Sequence, residues 1–204
     1  MTTHDAPRTR VVGAAILDDA ASPTRVLAAQ RAYPESLRGL WEFPGGKQEP
    51  GESARDALLR ECREELGVHL DLLAEVPAPG PHGWPLTGSA VMRVFTAVLR
   101  EPSDGPSLSD APPASVGTAA DTTTPDAHVP DAPAARAPHL STPTPHTAAS
   151  PVRALEQRVR DGQDHLDVRW LPLDDPAAIL ALPWIPADLP IVAALLEMLR
   201  TEHA

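Results

Sequence analysis

The 204-residue sequence is poor in three features, and each shortage argues against a class of protein. Its only cysteine is Cys62, so no disulfide forms within the chain, which fits a reducing compartment. It has 17 Lys and Arg against 28 Asp and Glu, and this net charge of −11 argues against a nucleic-acid polymer as partner, since such binding neutralises many phosphates. The apolar segment 11–17 is too short to span a membrane, and because it follows only two arginines and ends at Asp18 and Asp19, we expect no signal peptide. We therefore expect a cytoplasmic protein without a membrane partner.

One stretch of the chain has a composition that does not support a packed core. Residues 101–150 contain ten prolines, thirteen serines or threonines and no aromatic residue. Such a stretch cannot bury enough apolar area to offset its ordering entropy. We predict that residues 101–152 are a disordered insertion in a surface loop, and that 9–100 and 153–200 form a single domain. A partner-docking segment is the alternative, although the stretch has no charge cluster or aromatic anchor.

Periodicity outside this stretch indicates alternating strands and helices. Short apolar segments bounded by turn residues predict a hairpin at 10–17 and 24–31, and further strands at 70–76, 89–99 and 165–171. A helix is predicted from residue 52 or 53 to 66, with Ser53 as a cap and Gly67 as a left-handed stop. Its predicted buried stripe is Leu58, Leu59, Cys62 and Leu66. A last amphipathic helix is predicted over 188–200, with Ile191, Leu195, Met198 and Leu199 inward. Strands mixed with a few helices imply a layered α/β sandwich.

Three glutamates of the first predicted helix fall on one side of it. At about 100° per residue, Glu61, Glu64 and Glu65 lie within roughly a third of the circumference. Like charges at this spacing repel, so the cluster favours a cation that neutralises them. Oxygen ligands without a nearby thiolate or imidazole favour Mg²⁺, or Mn²⁺, over zinc. The alternative is a solvated acidic face without a metal.

The spacing of residues around these glutamates resembles the signature of the Nudix hydrolase family. Every fixed position is met by Gly46, Glu52, Arg60, Glu61, Glu64, Glu65 and Gly67, with Cys62 and Val68 in the apolar positions. Segments 28–31 and 40–47 are similar to the MutT branch of that family. Segment 182–188 resembles the Pro-Ala-Asp or Pro-Ala-Asn segment by which this branch contacts the nucleobase.

The resemblance implies an α/β/α sandwich with a mixed sheet and a metal-dependent hydrolase. The implied reaction is substitution at the β-phosphorus of a nucleoside triphosphate, which yields a monophosphate and pyrophosphate. An oxidised nucleotide such as 8-oxo-dGTP, and thus nucleotide-pool sanitation and DNA repair, is the leading expectation, with CTP, dCTP or 5-methyl-dCTP as the alternative. The implied metal ligands are Glu61, Glu64, Glu65, the Gly45 carbonyl and Asp164.

Four further residues have implied roles in this reaction, and three of them have a plain alternative. Arg60 orients the glutamates, or is only an intrahelical ion-pair partner. Glu52 orients the helix start and Arg60. Lys47 and Arg31 contact the phosphates, or are ordinary surface cations.

Residues outside the helix complete the expected site. Asp164 binds a cation or activates water, or is a loop aspartate; either it or Glu61 is the general base. The neighbouring His165 is expected to be structural. Near the C-terminus, Asp188 is expected to contact the base. Phe43, with one of Trp41, Trp84 or Trp184, is a candidate to stack on it, although core packing is the default for such aromatics.

Two other kinds of function remain open at this stage. The chain could be a Nudix-like binding module without catalysis, although such modules commonly lose the carboxylates that this sequence keeps. It could instead hydrolyse a diphosphate such as ADP-ribose. We expect a monomer or a homodimer.

Overall fold

The first strand passes through the middle of a sheet whose two faces are both covered. In the computed structural model, which describes residues 8–100 and 164–202, β1 (Arg10–Leu17) is buried along most of its length. Successive side chains of a strand point to opposite faces. Val12, Ala14 and Ile16 therefore join one apolar cluster, and Ala15 and Leu17 join the other. This two-sided burial explains why the strand is a continuous apolar run in the sequence.

The strands of the described residues form one mixed sheet of seven strands. Its main path runs β3-β2-β1-β6-β4, with β5 paired to β6 and β7 paired to β2. β1 and β6 are parallel, whereas the other strand pairs are antiparallel. The remaining strands are β2 (Arg25–Arg31), β3 (Trp41–Glu42), β4 (Leu70–Glu75), β5 (Trp84–Pro85), β6 (Val91–Leu99) and β7 (His165–Pro172).

Helices cover the two faces of this sheet. On one face, α1 (Ala54–Glu65) packs Ala57, Leu58 and Cys62 against Val12, Ile16 and Phe95, among other residues. On the other face, α3 (Leu189–Glu202) packs Ile191, Val192, Leu195 and Leu199. The predicted α/β class with a mixed sheet is confirmed. The predicted insertion at 101–152 lies outside the described residues.

The ends of α1 follow from its sequence, while one of its predicted core positions is wrong. The Ser53 hydroxyl accepts a hydrogen bond from the Asp56 N–H at 3.1 Å, and Gly67 has the left-handed φ of 66° that ends helices. Leu59 was expected in the buried stripe but is 37% exposed. It follows Leu58 by one position, a rotation of about 100° that turns it away from the sheet. Ala54 and Ala57 are buried in the stripe that faces the sheet.

The shortest elements are the ones that periodicity did not reveal. β3 and β5 have two residues each and α2 (Pro176–Leu180) has five, too few to show a period. The parallel pairing of β1 with β6 was also not predicted, because it joins segments that are distant along the chain. In the parts of the chain that the structure describes, no helix combines the length and apolar character needed to cross a membrane.

Candidate active site

The loop before α1 lies directly against β1. The Ala14 N–H donates to the Pro44 carbonyl at 2.8 Å, and the Val12 N–H donates to the Gly46 carbonyl at 2.9 Å. Gly45, between them, has a φ of 149°, and a Cβ there would lie 2.1 Å from the Val12 carbonyl oxygen. Only glycine therefore permits this close approach.

Gly46 makes room for one glutamate of α1. A Cβ at Gly46 would lie 2.4 Å from Cδ of Glu61 and from its Oε2. The Glu61 carboxylate thus rests against the loop backbone, and a larger residue at 46 would displace it. The glycine and the glutamate, fifteen positions apart, form one unit.

Arg60 connects the acidic residues at the start and on the outer side of α1. Its Nε donates to Glu52 Oε1 at 3.0 Å, and its Nη1 reaches Glu61 Oε1 at 2.9 Å and Glu64 Oε2 at 3.3 Å. Its Nη2 also donates to the Lys47 carbonyl at 3.1 Å. The hydrogen bond to Glu52 is the main cause of the raised pKa of Arg60, and the hydrogen bond to Glu61 also raises it. The hydrogen bond between Arg60 and Glu52 lowers the pKa of Glu52. The guanidinium contacts two of the predicted metal ligands, as an orienting role requires.

Glu65 has a different environment from its two neighbours. Its Oε2 is buried and has no hydrogen-bond partner among the described residues. Burial raises its pKa to about 7, and the negative charges of Glu61, Asp164 and Glu42 act in the same direction, while His165 opposes them. A buried carboxylate oxygen without a partner is costly, so a protein that keeps one needs a reason for it.

The expectation that no imidazole lies near the glutamates of α1 is wrong, because His165 lies near Glu65. It is buried at the start of β7, with Nε2 at 3.5 Å from Glu42 Oε1 and 4.0 Å from Glu65 Oε2. Glu42 is itself buried and forms an ion pair with Arg31. Sequence reasoning missed this contact because β7 and α1 are about a hundred residues apart.

Asp164 is held at the end of β2 by two contacts. The Ala32 N–H donates to its backbone carbonyl at 3.1 Å. The Tyr33 hydroxyl donates to its Oδ1 at 2.7 Å, and this bond is the main cause of the raised pKa of Tyr33. Sequence reasoning did not single out Tyr33, since nothing local to it indicates a partner 131 residues away.

The donor set of this face fits a hard divalent cation, although the side chains do not form a finished centre. Within residues 8–100 and 164–202, no three His, Cys, Asp or Glu side chains converge as a metal group. Glu61 and Glu64 contact Arg60, whereas Glu65 presents the unpartnered oxygen. Carboxylate oxygens are the ligands that Mg²⁺ prefers. Glu61, Glu64, Glu65, Asp164 and the Gly45 carbonyl are the groups that would hold it.

A second buried carboxyl group lies at the beginning of α3. The chain that leads to it runs along β3: the Trp41 N–H donates to the Pro183 carbonyl at 2.9 Å, and the Ile185 N–H donates to the Trp41 carbonyl at 2.8 Å. Asp188 then accepts the Phe43 N–H through Oδ2 at 3.3 Å. Burial raises the pKa of Asp188 to about 7, and the Phe43 contact opposes the shift.

The aromatic residues near Asp188 are core residues in this structure. Phe43 is 2% exposed and packs on Trp184 with ring centroids 5.6 Å apart. Trp184 also donates its indole N–H to the Ile179 carbonyl at 2.8 Å. For Phe43 this is the core-packing alternative: its ring is covered, and its N–H is the group that reaches Asp188. Trp84, on β5, has a buried Nε1 without a partner among the described residues.

The two predicted phosphate contacts are placed differently from each other. Arg31 is committed to protein partners, because it pairs with Glu42 and donates to the Tyr33 carbonyl at 2.8 Å. Lys47 is exposed and lines a cleft of about 570 Å³ together with Arg10 and Glu52. Of the two, Lys47 has the setting of a residue that meets a phosphate from solvent.

Comparison with known proteins identifies the family. Residues 7–133, more than half of the chain, match the model of the NUDIX domain. This chain belongs to the Nudix family. It is similar to the CTP pyrophosphohydrolase of Escherichia coli, with 59% identity over 44 residues that cover 22% of this chain and 33% of the relative. It is also similar to the 8-oxo-dGTP diphosphatase of Proteus vulgaris, with 51% identity over 43 residues that cover 21% of this chain and 38% of the relative.

Solved structures agree with the Nudix fold. A mutT/nudix family protein from Listeria innocua matches with a TM-score of 0.52 at 18% identity, covering 97% of this chain and 98% of the other. The E. coli ORF135 protein matches with a TM-score of 0.51 at 22% identity, covering 94% and 90%. At these identities the likeness shows the fold alone. This Nudix chain spans less than half the length of the two curated relatives named above.

Proposed function

We propose that this protein is a Mg²⁺-dependent nucleoside triphosphate pyrophosphohydrolase that converts an oxidised nucleotide such as 8-oxo-dGTP to its monophosphate and pyrophosphate. The observation that carries the proposal is the buried Glu65 oxygen without a hydrogen-bond partner, on the same helix as Glu61 and Glu64. A cation that binds there would satisfy an oxygen that the described protein leaves unsatisfied. The name of the Proteus vulgaris relative supports the same class of substrate.

The reaction needs charge stabilisation and a proton acceptor. Bound Mg²⁺ supplies the positive charge that offsets charge on the phosphoryl oxygens. Water attacks the β-phosphorus, the bond from the β-phosphorus to the oxygen it shares with the α-phosphate breaks, and the monophosphate leaves. Glu61, resting against Gly46, and Asp164, held by Tyr33, are the carboxylates available to accept the proton of the water.

Arg60 and Lys47 have supporting roles in this proposal. Arg60 keeps Glu61 and Glu64 oriented, and its ties to Glu52 and the Lys47 carbonyl fix the helix to the loop. Lys47 meets the phosphates from the solvent side. Fixed charged groups of this kind reduce the reorganisation needed as negative charge moves during the reaction.

The second candidate is a pyrophosphohydrolase of cytidine nucleotides, favoured by a specific observation. The residue at the base-contact position is Asp188, a buried carboxyl with a pKa of about 7. When protonated it donates a hydrogen bond, and when ionised it accepts one, so it can pair with the edge of cytosine as well as with that of an oxidised guanine. The E. coli relative is named a CTP pyrophosphohydrolase.

Product analysis separates these candidates from one another and from the remaining classes. The purified protein is incubated with 8-oxo-dGTP, dGTP, dCTP, 5-methyl-dCTP and ADP-ribose, with Mg²⁺ or with a chelator. We expect pyrophosphate and a monophosphate from a triphosphate, only with Mg²⁺. AMP from ADP-ribose alone would indicate a diphosphate hydrolase. Nucleotide binding without any turnover would indicate a binding module, and either result would contradict the proposal.

A further inference from the structure

Tyr33 is joined to the candidate site through both its side chain and its backbone. Its hydroxyl donates to Asp164 Oδ1 at 2.7 Å. Its carbonyl accepts from Nε of Arg31 at 2.8 Å, and Arg31 also pairs with the buried Glu42. The preceding residue, Ala32, donates its N–H to the Asp164 carbonyl at 3.1 Å. The end of β2 therefore holds Asp164 by its main chain and by its carboxylate.

The position of this contact relates it to the carboxylate face of α1. Asp164 precedes His165, whose Nε2 lies 4.0 Å from Glu65 Oε2. The charges of both Asp164 and Glu65 act on the Tyr33 hydroxyl. Tyr33 is 52% exposed, so packing alone does not require a tyrosine at this position. A hydroxyl that donates to a carboxylate forms one of the stronger kinds of hydrogen bond.

We propose that Tyr33 is a positioning residue for Asp164. The Tyr33 hydroxyl occupies Oδ1 of Asp164 and leaves Oδ2 of Asp164 to face the cation or the attacking water. The inference rests on the proposed function, because it assigns Asp164 to the reacting groups. A carboxylate that rotates freely offers either oxygen in many orientations, whereas one fixed at Oδ1 offers Oδ2 in few. The effect of Tyr33 is therefore exerted through Asp164 and not on the nucleotide.

A double-mutant cycle tests this route of action. Tyr33→Phe removes one oxygen from an exposed ring, so the fold is retained. We expect kcat to fall roughly 10-fold, in the range found for residues that orient ligands, with KM changed less than about 2-fold. In the Asp164→Asn background the same substitution should change kcat by less than about 2-fold, because the group it orients is already lost.

The matched control removes a similar hydroxyl far from the site. Thr24 Oγ1 donates to Asp18 Oδ2 at 2.6 Å in the turn between β1 and β2. Thr24→Val should leave kcat unchanged. If Tyr33→Phe behaves like Thr24→Val, or if its effect on kcat is the same with and without Asp164, the inference is overturned.

Metal binding gives a readout that does not depend on turnover. Mn²⁺ titrated into the metal-free protein should bind Tyr33→Phe about 10-fold more weakly than the wild type, and Thr24→Val as tightly as the wild type. Equal Mn²⁺ affinity for all three proteins, together with unchanged kcat, would contradict the role of Tyr33 but not the proposed function. A wild-type protein that hydrolyses no nucleotide contradicts the proposed function itself, and the inference falls with it.

Discussion

Glu65, which is partly buried, and Asp188, which is buried, are two carboxyl groups whose pKa is raised to about 7 by burial, yet their surroundings differ. Glu65 lies among other carboxylates, and its Oε2 has no hydrogen-bond partner in the described part of the chain, although His165 Nε2 is 4.0 Å away. Asp188 lies beside packed aromatic rings and accepts the Phe43 N–H. A similar pKa thus arises at one group with no hydrogen-bond donor on its buried oxygen and at another that accepts a backbone N–H. This difference supports the proposal that Glu65 binds metal and that Asp188 contacts the base.

Substituting Glu65 should have the largest effect. Glu65→Gln keeps the size of the side chain but removes the charge that a cation requires, so we expect kcat to fall about 100- to 1,000-fold at saturating Mg²⁺. Steady-state pyrophosphate release measures it. The control is Glu197→Gln, an exposed α3 residue that pairs with Arg200. A Glu65→Gln enzyme with wild-type kcat would mean that Glu65 does not differ from Asp188 by binding the metal.

Arg60→Lys tests whether the carboxylate face depends on a shared guanidinium. Lysine keeps the charge but has one nitrogen in place of the three that Arg60 spreads over Glu52, Glu61 and Glu64, so kcat should fall about 10- to 100-fold. Arg93→Lys, at an arginine that donates to Glu75 at 2.7 Å, is the matched control and should have no effect on turnover. Equal kcat for both variants would show that Arg60 is only a surface ion-pair partner.

Asp188→Asn should alter substrate choice and leave metal dependence unchanged. Asparagine cannot ionise and always offers a donor and an acceptor, so the ratio of kcat/KM for dCTP to that for 8-oxo-dGTP should change about 10-fold. The Mg²⁺ concentration for half-maximal rate should stay as in the wild type. A variant with an unchanged ratio and weakened Mg²⁺ dependence would place Asp188 at the metal end instead.

The pH dependence of stability sharpens the comparison at Asp188. Its pKa is about 7 in the folded state against an ordinary 3.8, so between these values the folded protein holds a proton that the unfolded chain has released. The free energy of unfolding therefore falls as pH rises through this window and levels off above it. Asp188→Asn should gain about 3 kcal/mol relative to the wild type between pH 5 and pH 8, measured by urea unfolding. Parallel pH profiles for the two proteins would contradict this shift.

The two sites also differ in how far the sequence predicted them. The glutamates of α1 lie three and four positions apart, so local helical geometry was enough to place them on one side. Arg60 reaches Glu61 and Glu64 for the same reason. Leu59 was misassigned because a stripe drawn from spacing does not fix how far the helix rotates on the sheet.

Contacts between distant segments could not be predicted from local helical geometry. Tyr33 and Asp164 are 131 positions apart, and Phe43 and Asp188 are 145 apart. Only the pairing of β2 with β7 and of Trp41 with the segment before α3 brings these residues together. The imidazole beside Glu65 was missed for this reason. The residue type suggested that Asp188 forms hydrogen bonds, but its partner, the Phe43 N–H, could be identified only from the fold.

The central claim is that the buried Glu65 oxygen belongs to a site for a divalent cation, and Mn²⁺ binding tests it most directly. Metal-free wild-type protein, Glu65→Gln and Asp188→Asn are titrated with Mn²⁺ at one pH, and free Mn²⁺ is followed by its electron paramagnetic resonance signal. The account predicts binding to the wild type and to Asp188→Asn with similar affinity, and binding at least about 10-fold weaker to Glu65→Gln. Equal affinity in all three proteins would contradict it.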